Sequence, residues 1–304
     1  MDTVFSIDLY HKTNEKMNSQ QLKASSDILQ NLSAELDCHN TDSILSQLNQ
    51  TGSMDDTDGI LTDLIAETRM LQERFGNAVQ LSCRPLTKLW NIGNENAAIP
   101  LQKQLIAASS LIDDQNIRLK DGKITLCHGA ELDLGAVAKG YALDRLYAYY
   151  DELDDSEKPQ YAVISAASAV MLYGEKADKA PFTVEISDPN SSDMLGRLTI
   201  PPESGHSALF LGTSGNAERF SSINGTKYGH IFDLSTGYPA ESDLASVTVL
   251  TDQGLKADFL STLIFIGGTA SLSSHLSASD YAVLAVDQNG KIYQSDSLRF
   301  EVYQ

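Results

Sequence analysis

The sequence predicts an α+β protein, a fold of mixed sheets and hairpins with helices packed against them. Three observations carry this. Short apolar runs come in hairpin-like pairs, helical stretches with one apolar face lie between them, and no regular strand–helix–strand alternation connects the two kinds of segment. At 304 residues the chain makes one domain spanning 1–304, or two intimately packed subdomains, with ample material for a core.

The first strand alternates through Val4, Phe5, Ile7 and Leu9. A helix follows, with Leu22, Leu29, Leu32 and Leu36 at helical spacings. A second helix puts Leu61, Leu64, Ile65, Thr68, Leu71 and Phe75 on one face and stops at Gly76. Between them, polar Gln50 to Gly59 reads as a loop. Asn116 to Leu126 reads as a hairpin turning at Asp121-Gly122, a pair suited to positive φ. A glycine-punctuated turn and a helix run from Asp133 to about Tyr150, and acidic Asp151 to Lys158 makes a surface connection. Strand-like runs recur at Tyr161–Leu172, Phe182–Ile186, Leu209–Gly212 and Ser246–Leu250. A helix covers Leu255 to Ile266, and Tyr281–Val286 with Lys291–Tyr293 closes the chain as a hairpin.

Hydrophobic content of 42% and charged content of 21% describe an ordinary globular chain. There is no run of eighteen apolar residues to span a membrane. A net charge of −19 with no basic stripe argues against nucleic acid, and it means an anionic substrate needs a local cation or metal. Cys38, Cys83 and Cys127 fit neither a CxxC nor a zinc pattern and read as isolated small hydrophobes. No export leader or lipid-attachment cysteine is visible, and composition leaves a cytoplasmic and an exported location both open.

Three segments carry chemistry. Leu132 to Asp144, reading LDLGAVAKGYALD, places glycines before a helix start, where backbone N–H groups approach anions, with Lys139 as a local positive charge. It is neither a P-loop nor a dinucleotide fingerprint. Thr213-Ser214-Gly215 precedes Gly229-His230-Ile231-Phe232-Asp233, which is bounded by Gly237-Tyr238-Pro239. His230 alone among six histidines sits beside an aspartate and a turn, a setting for a general base. Asp258 and Thr262 lie four apart on a helix, so a carboxylate and a hydroxyl share one face and offer hard oxygen ligands to Mg²⁺. Each signal taken alone is more often structural.

Together and in this order, the segments resemble the ApbE-like FAD:protein FMN transferases. That family has Asp-Leu-Gly-Gly/Ala-x-Ala-Lys-Gly, then Thr/Ser-Ser-Gly, then His-Ile-x-Asp-x-x-Thr-Gly-x-Pro, then Ala-Asp-x-x-x-Thr. Ser43 to Asn49 resembles its Ser-x-x-Ser-x-Leu-Asn turn, and Pro85 to Trp90 its Pro-Leu-x-x-Leu-Trp segment. The resemblance covers nearly the whole chain and implies a T-fold-related architecture. It implies Mg²⁺ bound by the Ala136 carbonyl, Asp258 and Thr262, and FAD, a substrate, contacted by Met1, Trp90, Asn91, Ile92, Asp133, Lys139, Thr213, Ser214 and Gly215. His230 would assist deprotonation of an acceptor threonine, with AMP released.

The implied partner is a protein carrying a flavinylation threonine, on a redox pump subunit or an extracellular electron carrier. The implied location is extracytoplasmic and lipid-anchored. The same machinery serves an FAD pyrophosphatase giving FMN and AMP, or a non-catalytic FAD-binding protein. The sequence departs from the family at Ser165 to Ala169, where Asn-x-Gly-Gly-Asp/Asn is usual. It departs again at Val79-Gln80-Leu81, Arg84, Asn91 and Leu234.

Overall fold

The computed structural model describes residues 4–11, 15–201, 208–216 and 219–303. The chain opens with β1 (Phe5–Tyr10), α1 (Glu15–Glu35), α2 (Ile44–Thr51), β2 (Ser53–Asp55) and α3 (Ile60–Phe75). Next come α4 (Arg84–Trp90), α5 (Gln102–Ser109), β3 (Ile117–Lys120), β4 (Lys123–Leu126) and α6 (Ala138–Glu152). Strands β5 (Tyr161–Ala166), β6 (Ala169–Gly174), β7 (Phe182–Ser187), β8 (Met194–Ile200) and β9 (Ala208–Gly215) follow. Two small hairpins, β10 (Phe220–Ile223) with β11 (Thr226–Gly229) and β12 (Phe232–Asp233) with β13 (Tyr238–Pro239), come next. The chain ends with β14 (Leu244–Thr251), α7 (Gly254–Leu276), β15 (Ala282–Asp287), β16 (Ile292–Gln294) and β17 (Phe300–Val302).

A seven-stranded antiparallel sheet in the order β1-β5-β6-β9-β14-β15-β16 is the backbone of this α+β fold. Strand alternation sends Ile164, Met171 and Phe210 to one face, where they meet Leu29 and Leu32 of α1 and Leu143, Leu146 and Tyr150 of α6. Leu172, Leu211 and Leu284 face the other way, onto Phe182, Leu198 and Ile200 of the small β7-β8-β17 sheet. Helix α7 is apolar nearly all round because it is a core helix, with Phe259, Leu260, Ile264 and Phe265 fully buried. Its length and hydropathy would suffice to cross a membrane, and here they serve to bury it on the sheet.

The expected segments and the observed ones part in a few places. The 50–59 loop contains β2, which pairs with β4, because Ser53 and Met54 find a partner that local composition does not show. The single run Tyr161–Leu172 is two strands, β5 and β6, joined through Ala167 in left-handed backbone (φ 52). No glycine or asparagine marks that turn. The final helix continues beyond Ile266 to Leu276 across a kink at Gly268 (φ 63), where the Asp243 carboxylate accepts the Thr269 N–H at 2.8 Å. The hairpin at Asp121-Gly122 has both residues at positive φ, as its sequence requires.

Candidate active site

Two helix starts and one strand end build the site. Gly212 on β9 lets α7 lie directly on the strand, since a Cβ there would meet the Ala257 carbonyl carbon at 2.5 Å. Two residues on, and so on the same face, the Ser214 hydroxyl reaches the hydroxyls of Ser261 at 2.9 Å and Thr262 at 3.0 Å. Thr213 faces the other way and bonds to Thr248 at 2.9 Å, while its N–H donates to the Ser168 carbonyl at 2.8 Å. Of this triplet it is Ser214 whose side chain joins Ser261 and Thr262 of α7. Gly215 ends the strand tightly, with the Ala245 carbonyl 2.7 Å from where a Cβ would stand.

Asp258, 4% exposed, lies one turn before Thr262. Its Oδ2 accepts the Gly140 N–H at 2.7 Å and lies 3.9 Å from the Lys139 ammonium. Burial pushes its carboxyl above the ordinary range, opposed by Lys139 and by the Gly140 N–H. A buried carboxylate that is costly to ionise gains most from a cation, so the electrostatics favour a metal here. After a separate turn closed by the Ala138 N–H on the Leu134 carbonyl, the continuous α6 ladder begins with the bond from the Tyr141 N–H to the Val137 carbonyl. The Gly140 N–H, which a longer helix would offer to Ala136, is given to Asp258, and the Ala136 carbonyl therefore lies ahead of the ladder. Carboxylate, hydroxyl and carbonyl are a hard-oxygen set suited to Mg²⁺. Among the described residues no three His, Cys, Asp or Glu side chains form a metal cage, so such an ion would complete its shell with water and substrate phosphate.

The turn before α6 is held by side chains far away in sequence. Asp133 accepts the Gly135 N–H at 3.0 Å through Oδ1 and the Thr87 hydroxyl at 2.7 Å through Oδ2, with Arg84 at 3.8 Å. Its carboxylate thus shapes the turn. Trp90 is fully buried, its indole N–H donating to the Gly237 carbonyl at 2.9 Å and its ring packed against Tyr228, Phe232 and Tyr238. It supports the hairpins beside His230, and no part of it is open to a ligand in this arrangement. Ile92 is buried in the same cluster, and Asn91 caps α4 in left-handed backbone (φ 53). Met1 lies outside the described residues.

His230 stands between β11 and β12. Its Nδ1 donates to the Arg219 carbonyl at 3.0 Å, which leaves Nε2 with the lone pair a base needs. Surrounding protein pushes the imidazole below its ordinary value, and the charges of Arg219 and Lys139 push in the same direction. His230 is nonetheless exposed, so solvent screens these effects and makes the depression smaller than the surrounding protein alone would give. Asp133 and Lys139 are near enough to act on it electrostatically, which ties His230 to the α6 turn. Asp233, its neighbour in sequence, does not orient it: Asp233 Oδ1 accepts both the N–H and the hydroxyl of Ser235.

Motif reading missed Ser261, Thr87 and Asn49 as parts of this assembly. Asn49 was visible within the Ser-x-x-Ser-x-Leu-Asn turn, but its partner, the Leu132 backbone, is not.

A family model described as the ApbE family matches residues 1–285. The chain is 31% identical over 232 residues to a protein of Klebsiella pneumoniae named FAD:protein FMN transferase, covering 73% of this chain and 67% of that one. A Treponema pallidum protein of the same name is 29% identical over 259 residues, covering 79% and 69%. In structure the fold superposes on the ApbE protein of Thermotoga maritima with a TM-score of 0.82, at 23% identity over 97% of this chain and 98% of that one. It also superposes on the flavin transferase ApbE of Vibrio cholerae with a TM-score of 0.79, at 22% identity over 98% and 95%.

Proposed function

This chain belongs to the ApbE family, and on that premise we propose that it transfers FMN from FAD to a threonine side chain of an acceptor protein, with Mg²⁺ and release of AMP. The observation that supports this reading best is that Lys139 at the start of α6 reaches Asp258 on α7, while Ser214 at the end of β9 reaches Thr262 one helical turn further along α7. These residues are scattered along the chain, and their types suit a pyrophosphate.

In the proposed step the threonine oxygen attacks the FMN-side phosphorus of FAD. The bond from that phosphorus to the bridging oxygen breaks, AMP leaves with that oxygen, and the threonine proton passes to Nε2 of His230. Lys139 offsets phosphate charge on a chain that is otherwise strongly acidic. Ala136, Asp258 and Thr262 would hold Mg²⁺, which supplies charge neutralisation at the phosphates when bound. Positioning and charge are what phosphoryl transfer asks of an enzyme, so no covalent enzyme intermediate is needed. The acceptor class that fits is a redox pump subunit or extracellular electron carrier, met outside the cytoplasm by a lipid-anchored enzyme.

The test incubates the protein with FAD, Mg²⁺ and an acceptor domain carrying a flavinylation threonine, then looks for gel-stable flavin fluorescence. A band abolished by EDTA and by His230→Ala supports the transferase. Release of FMN and AMP without a band would make the protein a pyrophosphatase, and intact FAD would point to a binding protein or to an unsuitable acceptor.

A further inference from the structure

Helices α6 and α7 meet through the same five-residue pattern, Gly-x-x-x-Asp: Gly140 to Asp144 on α6 and Gly254 to Asp258 on α7. Each aspartate accepts the N–H of the other helix's glycine. Asp258 Oδ2 takes the Gly140 N–H at 2.7 Å, and Asp144 Oδ1 takes the Gly254 N–H at 2.6 Å, with Oδ2 on the Leu255 N–H at 2.7 Å. These N–H groups belong to the first turns of the two helices, where the ladder supplies no partner. The glycines permit the contact. A Cβ on Gly140 would stand 2.0 Å from the Gly254 carbonyl oxygen, and one on Gly254 would stand 2.3 Å from that of Gly140.

We propose that Asp144 is a positioning residue for the metal site: by fastening the first turn of α7 to α6, it sets Asp258 and Thr262 against the Ala136 carbonyl. The proposal rests on reading those three groups as the Mg²⁺ ligands. One ligand precedes α6 and two ride on α7, so the spacing of the set depends on how the helices are joined. Asp144 hydrogen-bonds to none of the three: its two oxygens are taken by the Gly254 and Leu255 N–H groups. It holds the two N–H groups nearest the α7 start, and Asp258 follows one turn later on the same rigid rod. Groups that orient metal ligands without touching the metal commonly change affinity about 10- to 100-fold when removed.

The experiment measures Mn²⁺ binding to the full chain by electron paramagnetic resonance, and the Mg²⁺ concentration giving half-maximal FMN transfer. The variants are Asp144→Ala, Asp144→Asn and Gly254→Ala. Leu198→Ala, in the separate core under the β7-β8-β17 sheet, is the control for lost stability. The expected result is that each clasp variant weakens Mn²⁺ binding and raises the Mg²⁺ requirement about tenfold or more. The KM for FAD at saturating Mg²⁺ should stay within about twofold, and Leu198→Ala should lower Tm without moving either metal constant. Asp144→Asn keeps the side-chain volume, so it reports even if Asp144→Ala does not fold. Wild-type binding of Mn²⁺ with an unchanged constant in folded Asp144→Asn and Gly254→Ala would overturn the positioning role alone. A wild type that binds no Mn²⁺ would overturn the metal site and the proposal with it.

Discussion

The side-chain amide of Asn49 bridges both backbone groups of Leu132: its Oδ1 accepts the Leu132 N–H at 2.6 Å and its Nδ2 donates to the Leu132 carbonyl at 2.9 Å. Leu132 is fully buried and immediately precedes the Asp133 turn that leads into α6. Removing the amide leaves two backbone groups unpaired, at a cost of about 2 kcal/mol. Asn49→Ala should therefore lower the denaturant midpoint and raise the KM for FAD severalfold, because the turn it holds carries Asp133 and Lys139. An unchanged KM in the folded variant would separate this bridge from the site.

The carboxylate of Asp258 has two duties, as an acceptor for Gly140 and as a proposed metal ligand. Asp258→Asn keeps an acceptor oxygen for Gly140 while removing the charge. The expected outcome is a folded protein with transfer reduced at least about 100-fold, a loss that added Mg²⁺ does not restore. Steady-state rates over a Mg²⁺ titration, with a melting curve beside them, check it.

The pH dependence follows from His230. The surrounding protein pushes its imidazole down from the ordinary 6.5 toward about 4, and solvent at the exposed side chain works against that push. The neutral ring is the base, so activity is present above the depressed value and is lost as pH falls through it. The acid limb of kcat should lie between those bounds, and it should disappear from the residual rate of His230→Ala. A limb at or above 6.5 would contradict the assignment.

Ala167 holds left-handed backbone (φ 52) at the β5–β6 turn, where a side chain costs roughly 1 kcal/mol. Ala167→Gly should stabilise the protein by about that much, raising Tm by about 2 °C. The adjacent Ser168 carbonyl accepts the Thr213 N–H, so the same substitution tests whether this turn tunes the site. A changed KM for FAD would show that it does.

Much of the fold was legible because periodicity is a local property. The hairpin at Asp121-Gly122, the α3 face ending at Gly76 and the β15–β16 hairpin all appear where apolar spacing and turn residues place them, although the last of these does not close the chain, because β17 follows it and pairs with β8. The β5–β6 turn was not legible, because Ala-Ala-Ser carries no turn chemistry and tertiary packing holds Ala167 in place. The order of the four motifs likewise pointed to the family without showing which side chains meet.

The sequence by itself determined the α+β class, the kinds of oxygen and nitrogen donors available and the family likeness, since these follow from residue type, spacing and order. Only the tertiary structure decided the rest. It put Ser214 rather than Thr213 beside Thr262, gave His230 the Arg219 carbonyl in place of Asp233, and buried Trp90 under the hairpins. It also joined Gly140 to Asp258 across 118 positions of chain. The physical reason is that strand pairing and close helix contact act between segments far apart in sequence, and those contacts decide which way each side chain points.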